Sequence, residues 1–159
     1  MHELRTGRFA GVNEDLRFPA ASTVKLGALV AALRTSRVPA RGRHWYDARQ
    51  LGAWSSNLAA NRITGRLGFG AVADGLRRLG MTSSTYPGPY RATTAVGAPP
   101  PGYHTRVTTA RDLGRALWRL HAAARGDRRV RRLVGLSGAQ AQAALRVLLS
   151  AQPVSENRG

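Results

Sequence analysis

Of the 25 Lys and Arg residues in this chain, only Lys25 is a lysine. A surface or phosphate-binding position is open to arginine as well. A general base is not, because a guanidinium stays protonated. Lys25 lies in the most apolar stretch of the sequence, Ala20 to Leu33, and burial in such surroundings removes a proton from a lysine amine readily. Ser22 stands three residues earlier. On a helix, positions i and i+3 share a face, with Cβ atoms about 5–6 Å apart. A hydroxyl held beside a desolvated amine is an activated nucleophile. Placed at a helix N-terminus, Ser22 would also offer its own N–H to an oxyanion. The simpler roles are a capping serine and a lysine that reaches the surface, and spacing alone leaves both pairs of roles open.

Other chemistries have less support. The chain has no cysteine, which excludes disulfides, thiol catalysis, zinc ribbons and iron–sulfur clusters together. His2, His44, His104 and His121 are far apart and match no metal-ligand spacing, so no metal and no cofactor are expected. The 8 acidic residues are scattered, which argues against paired-carboxylate catalysis. The net charge of +17 attracts polyanions whatever the role of the protein. Yet the arginines run along the whole chain, with one dense cluster from Arg125 to Arg132, and the Ala, Gly, Arg and Pro bias is that of a GC-rich genome. Specific nucleic-acid recognition is therefore not expected; an Arg-rich nucleic-acid-binding module is the competing class. No apolar run approaches the roughly 20 residues of a membrane span, and the opening Met1-to-Phe9 segment has no signal-peptide core.

The elements that must position Ser22 and Lys25 read as mostly helical, in a single domain over residues 1–159. Short strands and turns are expected over the first 18 residues, with Phe18-Pro19 leading into a helix. A helix follows from Ala20 to Leu33, apolar nearly all round and therefore buried on all sides. A short helix is expected over Asp47 to Trp54, then one capped by Ser55 or Ser56 and running to Leu67. Phe69 to Leu79 is amphipathic, with Gly80 as its stop. Residues 81–107 hold Pro87, Pro89, Pro99, Pro100 and Pro101 and read as a long functional loop. Thr109 and Asp112 begin another helix in the manner of a capping box, and a last helix spans about Ser137 to Leu149.

Two segments taken together carry a resemblance. Pro19-Ala20-Ala21-Ser22-Thr23-Val24-Lys25, followed by Ser55-Ser56-Asn57-Leu58-Ala59-Ala60-Asn61 after a tryptophan, resembles the serine β-lactamase and penicillin-binding-protein superfamily, and class A β-lactamases most closely. Leu79-Gly80-Met81-Thr82 and Thr108 to Leu113 are similar to later helices of the same family, so the likeness runs from about residue 5 to residue 153. It implies an α/β fold of the β-lactamase/transpeptidase type, with its helical part largely present. It implies an acyl-enzyme mechanism on β-lactams or related amides, with Ser22 as nucleophile and Lys25 as its activator. Ser55 would pass a proton to the leaving nitrogen. Asn57 would bind the substrate amide and help position Lys25, and Asn61 would brace the neighbouring loop. The family usually works outside the cytoplasm, in secreted or periplasmic form.

The sequence departs from that pattern in three places. Ser56 replaces the family's Asp in Ser-Asp-Asn. No acidic residue lies between Asp74 and Asp112, where the class A deacylating glutamate belongs; His104 is the one candidate substitute in that stretch. No Lys-Thr-Gly follows Pro153. Most of the antiparallel sheet is thus expected to be missing, as in a truncated catalytic domain. The alternatives within the family are a penicillin-binding D-Ala-D-Ala peptidase-like protein and an inactive fragment.

Overall fold

The chain was analysed as a computed structural model, in which residues 1, 3–36, 41–90 and 105–151 are described. Their architecture follows from one helix that has no polar face. In α1 (Lys25–Arg34) every residue from Lys25 to Leu33 is buried, so other elements must cover it from several directions. α2 (Trp45–Trp54), α3 (Asn57–Leu67), α4 (Phe69–Leu79) and α7 (Gly138–Leu149) all pack on it, α4 most extensively. α5 (Ala110–Ala124) bridges α7, α6 (Arg128–Val134) and α4 on the far side. Leu29, Val30, Ile63, Leu79, Met81 and Leu120 sit at the centre, each essentially without solvent contact.

The α1–α4 seam is built on two glycines. A Cβ on Gly75 would lie 2.3 Å from the Gly27 carbonyl oxygen, and one on Gly27 would lie 2.6 Å from the Val72 oxygen. Neither position has room for a methyl group, so the two backbones run in direct contact.

The expected α/β fold is corrected here. The described residues are arranged as seven helices, and the structure is 58% helical. The only sheet among the described residues pairs β1 (Phe18–Pro19) with β2 (Val107–Thr108), antiparallel, two residues each. A proline in β1 has no N–H to extend the ladder. The core is filled by helix-to-helix packing, and this is a small helical domain. Phe18-Pro19, read as the lead into a helix, is instead a strand.

The helix ends show why the sequence patterns work. Ser56, Thr109, Asp127 and Ser137 each accept a hydrogen bond from the backbone N–H three residues on, the standard satisfaction of free N-terminal donors. Ser137 and Gln140 complete a reciprocal capping box. Thr109 and Asp112 form only half of one. The Asp112 carboxylate turns away to accept from Ser83 N (2.8 Å) and Ser84 Oγ (2.7 Å). Gly80 ends α4 in the left-handed conformation. α6 falls on the dense arginine cluster, where no helix was expected. No helix among the described residues is long and apolar enough to cross a membrane.

Candidate active site

The first turn before α1 sets the site. Ala21 has φ +47°, left-handed for a residue with a Cβ, a conformation that costs about 1–2 kcal/mol. The chain therefore cannot run helically from Ala20, and α1 begins at Lys25 rather than at the expected Ala20. Residues 21–24 form a tight turn instead, with Thr23 N bonded to Ala20 O and Lys25 N to Ser22 O, both at 3.0 Å. α1 has no side-chain cap, so the Ser22 hydroxyl is not spent on one. It accepts from Lys25 Nζ at 3.1 Å.

Lys25 is 2% exposed. Its Nζ contacts four oxygens: Ser22 Oγ, Ser55 Oγ at 3.2 Å, Asn57 Oδ1 at 2.7 Å, and the Ser55 carbonyl. Ser55 reaches it from the end of α2, where it too is left-handed (φ 53°); Asn57 reaches it from the first turn of α3. Ser56, between them, caps α3 through Ala59 N at 3.2 Å. Serine is as good an N-cap as the aspartate the resemblance would place here.

The donor count sets what each protonation state of Lys25 can do. An ammonium carries three N–H groups and no acceptor, one donor short of its four oxygens. A neutral amine carries two N–H groups and a lone pair. The Asn57 and Ser55 carbonyl oxygens can only accept, and they use both N–H groups. The lone pair is then left to receive a proton from a hydroxyl, Ser22 or Ser55. All four partners are neutral oxygens, and no carboxylate touches Lys25 among the described residues. Burial, aided by the positive charge of Arg106, lowers the Lys25 pKa to about 8.

Two residues the sequence reading did not single out complete the surroundings. The Tyr90 ring lies over Lys25 Nζ, 4.4 Å from the ring centroid, and its hydroxyl donates to Ala21 O at 3.0 Å. Asn61 holds the Tyr90 main chain at both ends: Nδ2 donates to Tyr90 O at 2.6 Å, and Tyr90 N donates to Oδ1 at 2.7 Å. Arg106, 6% exposed, stacks on Tyr90 at 3.8 Å and donates to Gly88 O and Pro89 O. Tyr86 and Tyr90 bracket Pro87-Gly88-Pro89, and that aromatic-flanked turn was the signal available in the sequence.

The structure thus brings Ser22, Lys25, Ser55 and Asn57 into one hydrogen-bonded cluster. Asn61 stands one residue removed, acting through Tyr90. His104 and most of the Pro-rich loop lie outside the described residues. Among the described residues no group of three or more His, Asp or Glu is placed to hold a metal ion. Comparison with protein-family models, curated proteins and solved structures gives no match.

Proposed function

We propose that this chain is a serine acyl-transfer hydrolase of the β-lactamase and penicillin-binding type, acylated at Ser22 by β-lactams or related amides. The observation that carries the reading is the Lys25 amine, buried among neutral oxygens with Ser22 Oγ at 3.1 Å and Ser55 Oγ at 3.2 Å. In the proposed step the Ser22 oxygen bonds to the substrate carbonyl carbon as its proton passes to Lys25 Nζ. The Ser55 hydroxyl protonates the departing nitrogen as the C–N bond breaks. Lys25 then returns its proton to Ser55, so the amine ends the step neutral. Asn57 holds the amine through Oδ1.

The second half of the cycle is slow in this reading. The main chain that Asn61 grips presents the Tyr90 ring to Lys25, and no carboxylate among the described residues stands there to activate water. The acyl-enzyme accumulates, which is penicillin-binding behaviour rather than rapid β-lactam turnover.

The test is labelling with a fluorescent penicillin, followed by intact-mass measurement. One adduct per chain is expected, absent in Ser22→Ala. The labelling rate should rise about tenfold from pH 7 to a plateau above the Lys25 pKa of about 8, because the amine works only after losing its proton. Labelling that survives Ser22→Ala, or a rate flat across that range, overturns the reading.

A further inference from the structure

Ser22, Lys25 and Ser55 share one cleft of about 350 Å³, at the lower end of the roughly 300–1,000 Å³ typical of small-ligand sites. What lines the rest of it is almost wholly aliphatic. Leu26 comes from α1, Leu51 from α2, Leu113 and Leu117 from α5, and Leu148 from α7. Lys25 is the one charged side chain on its wall, and its N–H groups are already turned to Ser55 and Asn57. A substrate carboxylate entering here meets leucine methyls and no free cation. Desolvating it without a partner is costly, whereas an uncharged alkyl chain gains from every methylene it buries.

From this wall we infer a substrate class: the site takes esters or amides whose acyl part is an uncharged aliphatic chain, seated on the leucine wall with its carbonyl at Ser22. The inference rests on Ser22 being the nucleophile and adds what that nucleophile selects. With a p-nitrophenyl ester, the Ser22 oxygen bonds to the acyl carbon and the bond to p-nitrophenolate breaks. The serine proton goes to Lys25, and the chain remains on Ser22 as an ester.

The experiment uses the full chain with p-nitrophenyl acetate, butyrate, hexanoate and octanoate, reading p-nitrophenolate release and adduct mass. The second-order acylation constant should rise about two- to fourfold per methylene, then level off once the chain outgrows the cleft. Leu117, 46% exposed on the cleft rim, supplies the variant. In Leu117→Glu the hexanoate-to-acetate ratio should fall to about one. A wild-type series flat or falling from acetate to octanoate overturns the inference, and leaves the leucine wall to a polypeptide partner or a second copy of the chain. That outcome is distinct from failure of the nucleophile itself, in which no ester, acetate included, leaves an adduct on Ser22.

Discussion

α1 begins and ends with a cation, and the two ends behave differently. At its start Lys25 is buried among four neutral oxygens, and its pKa is lowered to about 8. At its end Arg34 meets the Asp74 carboxylate at 2.5 Å. Arg78 holds the same carboxylate at 2.6 Å, and Arg77 joins them. Hydrogen bonding from Arg78, then Arg34, keeps Asp74 below the usual carboxylate pKa. A full negative charge would stabilise the protonated state of any amine beside it. Neutral acceptors orient an amine without doing so. The fold therefore pins the end of α1 with an acid that α4 supplies, and leaves the amine at its start, the base of the proposed step, without one.

The strongest way to break this contrast is to move the chemistry of one end to the other. Lys25→Arg keeps the positive charge and removes the titratable amine. Acylation of Ser22 should fall by about a thousandfold or more, within the range assigned to loss of a general base, read as the labelling rate with circular dichroism as the check on fold. A variant that labels at the wild-type rate would show that Lys25 contributes charge alone.

A sharper and milder change is Asn57→Asp, nearly isosteric and 2.7 Å from Lys25 Nζ. It gives the start of α1 the carboxylate that its end already has. An adjacent opposite charge favours the ammonium, so the midpoint of the pH–acylation profile should move up by about 1–3 pH units. At pH 7 the rate should drop about tenfold or more. An unmoved midpoint would mean that the carboxylate does not feel the reactive amine.

The smallest expected effect lies at the other end. Asp74→Ala leaves Arg34, Arg77 and Arg78 without their shared acid and should cost about 1–2 kcal/mol, discounted for its partial exposure. For a chain of this size the melting temperature should fall by about 2–8 °C, with acylation per folded molecule unchanged. The folded-state pKa of Asp74 is lowered, so this stabilisation is complete above the unfolded value of about 3.9 and is lost as pH falls through the folded one. The gap between wild type and variant should close in acid, below about pH 4.

The parts of this arrangement legible in the sequence are those governed by short range. Ser22 and Lys25 are one turn apart. Ser56, Thr109 and Ser137 announce helix starts through their hydroxyls, and Gly80 announces an end through its conformational freedom. The α3, α4 and α7 boundaries fall within a residue or so of the expectation for the same reason. What depended on distance in sequence was hidden. Arg106 and Tyr90 are 81 and 65 residues from Lys25, and nothing local marks a guanidinium that will stack on a ring and depress an amine. The α/β expectation came from family likeness, not from a period-2 pattern. The sequence has long 3.6-period runs and few alternating ones, and in the structure helices packed on helices form the core, with one two-stranded pair beside them among the described residues. The Ala21 conformation was hidden too, since an alanine in a helical pattern gives no hint of a left-handed turn.

Gly27 and Gly75, pressed together where α1 meets α4, make the platform beneath Lys25 intolerant of mutation. α5 carries Leu113 and Leu117 on the opposite wall of the cleft, away from that seam. An evolving lineage, or a designer, has freedom on one side only: if the proposed reading holds, selectivity can drift through the α5 leucines while Ser22 and Lys25 stay anchored. A mutational scan of this chain for folding should therefore divide into a tolerant bank and a lethal one.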